Sequence, residues 1–402
     1  MKISDYFSKD GLTVVCFSLP LVLKWLLPPG LEERLYFMVG VVNVFIPNLL
    51  LIVLPILFPI SSIYNKKIKN LFLLWCFVHL LVVILSESPN FLINIVSNSF
   101  LFGSLYLGLF HQITERQIKL LNPILLVSMI VLSLQIILLS TGTLNFDLST
   151  RGESFGGIYR VYTTAGESTG TGLILNALIL YLLLTIIHLK YKLVLAIFGL
   201  VAVCFTVSRT SIAIISISYF YFWFVYYRKK VKYSISLLLL LLTLFSIGVF
   251  QPIIDRNSEK TTDGNLSSGR DILIEQVIDN VNSKGSKWFG FGVGNVYQTT
   301  EIAYSRIKMP YRNAPHNSYI LLYAEQGIIG ILFFTALLIY FYRKRFKCNR
   351  DVGFILILFF LLAFNTETVI CTNSEYVYLL SLFLMLMNSK TKYELIPKIN
   401  KI

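Results

Sequence analysis

The sequence predicts an all-α integral membrane protein of about twelve transmembrane helices, with one large extracytoplasmic loop between spans nine and ten. Three observations lead there. Of 402 residues, 55% are apolar and only 14% are charged, whereas soluble globular chains run near a quarter charged. Apolar runs of about 20 residues recur along the chain, each long enough to cross a bilayer core of about 30 Å. Basic residues cluster in short polar gaps at alternate ends of those runs, as they do where loops face the cytoplasm.

At the N-terminus, MKISDYFSKDGL leads into an apolar run with no small-residue cleavage site, so the first segment is expected to be a retained span. The apolar windows fall near 12–28, 35–60, 71–85, 91–110, 119–140, 171–188, 192–207, 209–227, 234–251, 317–342, 352–371 and 375–388. Pro20, Pro47, Pro55, Gly103 and Gly108 lie inside windows, which spanning helices tolerate. Windows 71–85 and 375–388 are short, so a tilted or re-entrant path is the alternative for each. The resulting organisation is spans one to nine over 1–251, including an outer loop at 141–170. The large extracytoplasmic loop occupies 252–316, and spans ten to twelve with a cytoplasmic tail occupy 317–402.

With the N-terminus in the cytoplasm, the inside segments hold 22 of the 35 Lys and Arg residues, including Lys66 to Lys69, Arg228 to Lys230 and Arg343 to Arg345. The opposite orientation breaks the positive-inside bias at nearly every short loop. Both termini are therefore expected inside. The formal charge of +14 follows from those loops and does not call for a nucleic-acid partner. Five scattered cysteines without a CxxC spacing predict neither a disulfide framework nor a zinc site.

The topology leaves His316 as the one outward-facing histidine of four. It sits in Ala314-Pro315-His316-Asn317-Ser318-Tyr319, where the large loop turns into a helix, and a plain helix cap by Asn317 is the structural alternative. Arg209 stands between two apolar runs at the predicted outer headgroup level. There a guanidinium either snorkels to the interface or grips a lipid-linked phosphate bidentately. Arg270 follows Leu266-Ser267-Ser268-Gly269 and opens an amphipathic stretch whose apolar face is Ile272, Leu273, Val277, Ile278 and Val281. A cation in a first helical turn opposes the helix dipole, which suits an anionic ligand; a solvated loop arginine is the alternative. Gly290-Phe291-Gly292-Val293-Gly294-Asn295 is a glycine-rich turn satisfying neither a Rossmann nor a Walker pattern. Glu325 and Gln326 lie two turns into the helix after His316, and Tyr319 and Tyr323 share the histidine's face. The outer segments offer no Asp-x-Asp pair and no second histidine, so no metal and no cofactor is expected. A phosphate leaving group would be neutralised by arginine.

Taken together, Ser208-Arg209, Ser268-Gly269-Arg270, Gly-x-Gly-x-Gly-Asn at 290–295, Pro-His-Asn-Ser-Tyr at 315–319 and Glu-Gln-Gly-Ile-Ile-Gly at 325–330 resemble the O-antigen polymerase and O-antigen ligase superfamily. The resemblance implies a metal-independent, inverting glycosyltransferase acting on undecaprenyl-diphosphate-linked oligosaccharide at the outer face of the bacterial cytoplasmic membrane. It implies His316 as general base for the acceptor hydroxyl, and Arg209 and Arg270 as ligands of the diphosphate. Arg160, Arg312, Asn317 and Tyr319 become further substrate-binding candidates. Partners would be the lipid-linked glycan and the bilayer, with a chain-length regulator and a flippase as neighbours. Between polymerase and ligase the polymerase is favoured, although these motifs do not distinguish the acceptors. A lipid-linked oligosaccharide flippase is the rival of another class, and would place polar groups near the bilayer midplane with related halves and short loops. A metal-dependent transferase using Glu32 and Glu33 is a third possibility and a structural scaffold a fourth.

Overall fold

A computed structural model describes residues 5–6, 8–27, 36–39, 42–45, 66–85, 91–143, 154–155, 158–159, 168–186, 188–227, 270–283, 287–292, 316–367 and 375–395, with isolated positions at 50, 163, 235, 245, 246 and 251. Residue 187 and the remainder lie outside the described residues. The expected spans at 234–251 and most of 46–60, and the greater part of both long loops, fall there.

The described chain is predominantly helical. It begins with α1 (Lys9–Leu26), capped by the Ser8 hydroxyl, which accepts from the Gly11 N–H at 3.2 Å. The window expected to form a second span opens instead as a hairpin, β1 (Tyr36–Val39) against β2 (Val42–Phe45), antiparallel with Tyr36 opposite Phe45 and Val39 opposite Val42. This corrects the helical expectation for the start of 35–60. The run Tyr-Phe-Met-Val…Val-Asn-Val-Phe is rich in aromatic and β-branched residues, which favour a pleated strand over a helix. Next come α2 (Lys66–Leu85), α3 (Phe91–Phe110) and α4 (Glu115–Ser140). A capping box starts α4: Thr114 Oγ1 accepts from the Gln117 N–H while Gln117 Oε1 accepts from the Thr114 N–H. A second two-residue hairpin, β3 (Ser154–Phe155) with β4 (Ile158–Tyr159), lies in the 141–170 loop.

At the centre of the bundle is α5 (Ser168–Thr185). Every residue from Leu173 to Leu184 is buried, so α5 is apolar all round because it has neighbours all round. Those neighbours are α4, α6 (Leu189–Phe205), α7 (Arg209–Phe222, continued by a π-helical turn Trp223–Tyr227) and, near the C-terminus, α12 (Glu375–Asn388). Between α7 and α12 the chain forms α8 (Arg270–Ser283), α9 (Ser318–Arg345) and α10 (Arg350–Leu358). A π-helical turn (Phe359–Ala363) then carries α10 into the short α11 (Phe364–Thr366). Three of the described helices, α2, α4 and α9, are long and apolar enough to cross a membrane by length and composition.

α7 and α10 run antiparallel. The Tyr221 ring stacks on Phe354 with centroids 3.8 Å apart, and the Tyr221 and Tyr226 hydroxyls donate to the two carboxylate oxygens of Asp351. Arg209 lies twelve residues from Tyr221 along one helix, and Thr366 twelve from Phe354 along the other, about 18 Å in each case at 1.5 Å per residue. The start of α7 and the end of α11 therefore reach the same end of the bundle.

α9 reaches that end by a different route. Ser318 Oγ donates to the Glu367 carbonyl at 2.7 Å at one extreme, and Gly353 lies against the Phe346 ring at the other. Straight, the 28 residues of α9 would span about 42 Å, whereas Gly353 to Glu367 is about 21 Å of helix. The difference is taken up at Gly327, whose φ of 65° and ψ of −166° break the helix. That conformation is close to glycine-only, and a Cβ there would collide with the backbone of Trp288 and Phe289. The broken turn loses hydrogen-bond partners, and the 287–292 segment supplies them. Phe291 N–H donates to the Ala324 carbonyl at 2.7 Å and Gly292 N–H to the Glu325 carbonyl at 3.1 Å. Ile328 N–H and Ile329 N–H donate to the Lys287 and Trp288 carbonyls at 2.9 and 3.3 Å. The segment 287–292, which includes the start of the glycine-rich turn seen in the sequence, is thus a splint for a broken helix. Gly290, with φ of 72°, is required there because a Cβ would come within 2.6 Å of the Ala324 oxygen.

Candidate functional site

The first half of α9 presents His316 and Asn317 at the end of the bundle where α7 begins and α11 ends. Asn317 caps the helix, its Oδ1 accepting from the Tyr319 and Ile320 N–H groups at 2.9 and 3.1 Å. His316, immediately before the cap, has φ of 44°. This left-handed conformation is uncommon for a non-glycine residue. It turns the imidazole away from the helix towards Glu367, whose Oε2 lies 3.2 Å from His316 Nδ1. The side chains are 21% and 10% exposed respectively, so the pair is sheltered but reachable.

Three more bonds stitch these segments together. Ser318 Oγ donates to the Glu367 carbonyl at 2.7 Å, Asn317 Nδ2 to the Asn365 carbonyl at 3.3 Å, and the Tyr319 hydroxyl to the Phe360 carbonyl at 2.7 Å. A carboxylate on Nδ1 fixes that nitrogen as the proton-bearing one in the neutral ring, leaving the Nε2 lone pair available.

Arg209 opens α7, and its helix is capped by Ser208 Oγ, which accepts from Ser211 N–H at 3.3 Å and Ser211 Oγ at 2.9 Å. Val207, just before the cap, has φ of 52°. Among the described residues, Val207 and His316 are the non-glycine positions at positive φ, and each immediately precedes the Ser or Asn that caps a helix carrying a candidate residue. Such strain persists only where neighbours over-determine it. Around Val207 they do so: Asn176 Nδ2 donates to the Ser211 carbonyl at 2.7 Å, and Thr206, Ser208 and Ser211 are all buried.

Arg270 is the first residue of α8, in the first helical turn as expected. α8 runs beside the first half of α9: Val277 and Val281 are fully buried with Leu321 and Ala324, and the Tyr323 hydroxyl donates to Asn282 Oδ1 at 2.7 Å. The chain then reaches Lys287, which pairs with Ile328 further along α9. α8 and the first half of α9 consequently share a direction, and Arg270 and His316 both stand at their starting ends.

The predicted residues are thus distributed as follows. His316, Asn317 and Tyr319 are brought together at one end with Glu367, and Arg209 reaches the same end through the α7 and α10 pairing. Arg160 and Arg312 lie outside the described residues. The Asn317 Oδ1 and the Tyr319 hydroxyl are both engaged with the protein's own backbone. Glu325, 7% exposed, and Gln326, 1% exposed, are buried at the elbow, where Gln326 Oε1 accepts from Trp75 Nε1 at 3.0 Å. Glu367 is the residue that sequence reasoning missed. A signal was present, because it is an ionisable group within the apolar window 352–371, the same rule that singles out Glu325.

The model of the O-antigen ligase family matches residues 193–335. Over that stretch the chain is similar to the O-antigen ligase family. The match supports the superfamily that the motifs resemble, whose members are membrane enzymes of surface-polysaccharide assembly. The matched O-antigen ligase region contains Arg209, Arg270 and His316 and ends before Glu367. No curated protein matches the chain.

Proposed function

We propose that the protein is a polysaccharide polymerase, a metal-independent inverting glycosyltransferase that joins undecaprenyl-diphosphate-linked repeat units at the outer face of the cytoplasmic membrane. The observation that carries this reading is the His316–Glu367 pair, standing at the end of the bundle where Arg209 begins its helix, within a chain similar over 193–335 to the O-antigen ligase family. His316 Nε2 takes the proton of the acceptor hydroxyl as that oxygen attacks the anomeric carbon of the donor. The bond between the anomeric carbon and the phosphate oxygen breaks, and its electron pair leaves with undecaprenyl diphosphate. Arg209 and Arg270 stabilise the charge gathering on that leaving group, while Glu367 stabilises the imidazolium and holds its tautomer. Arg160 and Arg312 are further contacts for the donor.

The proposal includes the twelve-span topology, with both termini cytoplasmic and the site on the extracytoplasmic face. Arg209, at the start of α7, and Tyr227, at the end of its π turn, are then separated by about 27 Å of helix, close to the thickness of the hydrocarbon core. Arg209 is placed at the outer headgroups, where a lipid-linked diphosphate resides.

The family match supports the ligase reading equally, in which the finished glycan passes to lipid A core. Surface glycan ladders in a deletion strain separate the two. The strain carries wild type, His316→Ala or Glu367→Gln at matched abundance. Collapse of the ladder to a single capped repeat unit supports the polymerase. Loss of all capped glycan with long lipid-linked polymer accumulating assigns the ligase. An unchanged ladder in both variants removes His316 and Glu367 from the mechanism.

A further inference from the structure

The π-helical turn at Phe359–Ala363 lies a few residues before Glu367, and a π turn widens the helix so that its carbonyls are not all used internally. One of them, Phe360 O, accepts from the Tyr319 hydroxyl at 2.7 Å. The Tyr319 ring also lies against Phe364, with centroids 5.9 Å apart. Tyr319 is three residues beyond His316 on the same half-helix, and Glu367 is seven beyond Phe360 on the other strand of the pair. The Tyr319–Phe360 bond therefore closes a ring: His316, the α9 turn, Tyr319, Phe360, the π turn, α11, Glu367 and back to His316 through the 3.2 Å contact.

Side-chain bonds within α11 tighten the second half of that ring. Thr366 Oγ1 donates to the Leu362 carbonyl at 3.0 Å and Asn365 Nδ2 to the Leu361 carbonyl at 2.6 Å, satisfying other carbonyls of the π turn. Only the Tyr319 hydroxyl among these donors comes from α9, so it is the bond that ties the π turn to the helix carrying the histidine.

We infer that Tyr319 is a positioning residue: its hydroxyl holds the π turn so that Glu367 stays in register with His316. This rests on the proposed role of His316 as general base and extends it. Tyr319 acts through the His316–Glu367 pair, its one hydroxyl proton being committed to Phe360 O.

Tyr319→Phe deletes that hydroxyl alone. In purified protein assayed with lipid-linked repeat units, the variant is expected to turn over about tenfold more slowly with the half-saturating substrate concentration unchanged. Its pH–rate profile is expected to move in the same direction as that of Glu367→Gln. Adding Tyr319→Phe to Glu367→Gln is expected to cost nothing more, because the hydroxyl acts only through the carboxylate. Wild-type turnover in Tyr319→Phe overturns the inference. So does a raised half-saturating concentration at unchanged turnover, which would make Tyr319 a substrate ligand, or a defect that multiplies with that of Glu367→Gln. Should Tyr319→Phe fold poorly, Asn365→Asp and Thr366→Val test the same ring from the other side. Loss of turnover without a shift in the pH profile in both would also overturn it. His316→Ala is run in parallel: if it keeps its activity the general-base reading fails, whereas an inactive His316→Ala beside a wild-type-like Tyr319→Phe sinks this inference alone.

Discussion

The antiparallel pair α7 and α10 has two ends, and they are built in opposite ways. Where α7 ends and α10 begins, buried and half-buried polar groups are tied together by hydrogen bonds. Asp351, 5% exposed, accepts from the Tyr221 and Tyr226 hydroxyls and from the Leu395 N–H at 2.9 Å. Lys192, 2% exposed, donates to the carbonyls of Glu394 and Leu395 at 3.2 and 2.7 Å. Asn349 Nδ2 reaches the Leu386 carbonyl at 2.9 Å while its Oδ1 takes the Tyr393 N–H at 2.9 Å, and Ser389 Oγ donates to the Ile113 carbonyl at 3.2 Å. The segment after α12 thus clasps together the starts of α6 and α10, the end of α7 and the loop before α4. At the opposite end the backbone is strained at Val207 and His316, and the imidazole is partly exposed. The contrast teaches a division of labour: one end is a network of buried hydrogen bonds, whereas the other, about 18 Å away along the helices, holds two unfavourable backbone conformations kept in place by their own neighbours.

Breaking the elbow should have the largest effect. Gly327→Val forces a branched side chain into a conformation close to glycine-only and into the backbone of Trp288 and Phe289. The four backbone bonds between 287–292 and 324–329 cannot all survive. A loss of more than about 3 kcal/mol is expected from strain and unpaired backbone groups together. The readout is membrane abundance and thermal midpoint in detergent, and a variant as stable as wild type would mean the helix does not need its break.

Asp351→Ala comes next and attacks the clasp. It leaves two partly buried hydroxyls and one buried N–H without an acceptor, and a net loss of about 2–3 kcal/mol is expected. Because the site lies at the other end, glycosyl transfer per folded molecule should stay near wild type. Equal damage to stability and to specific activity would dissolve the distinction between the two ends.

What the sequence makes legible differs between these regions for a physical reason. His316, Arg209 and Arg270 stand out because a charged or titratable group near a span boundary is costly and so conspicuous. The amphipathic face of α8 is equally plain: Val277 and Val281, two of the five residues assigned to it, are buried against α9. Glu367 is conspicuous by the same rule, but it is 51 positions from His316, and sequence distance says nothing about which helix ends meet. The clasp is less legible still. Lys192, Asp351 and Lys390-Thr391-Lys392-Tyr393 read as ordinary cytoplasmic charge, and only the fold shows that 393–395 is buried backbone. The hairpin at 36–45 is the converse case, an apolar run whose β-branched content outweighs its length.

The smallest expected effect concerns the clasp end in acid. His111 lies in the loop before α4, with its ring Nε2 3.1 Å from Gln117 Oε1 and its carbonyl accepting from Asn388 Nδ2 at 3.3 Å. Burial pushes its pKa down, and the Gln117 bond and the charge of Asp10 offset this only in part. A histidine with a depressed folded-state pKa binds fewer protons folded than unfolded. Its contribution is therefore fully retained above the ordinary imidazole range and lost as pH falls from there towards the folded value. Lowering pH from about 7.5 to about 5.5 should lower the thermal midpoint of wild type more than that of His111→Gln, which keeps a hydrogen-bonding side chain but cannot titrate. The strained end offers no such acid lever through His111, so specific activity at each pH should change alike in both proteins. An identical fall in midpoint for the two would show that acid sensitivity arises elsewhere than at His111.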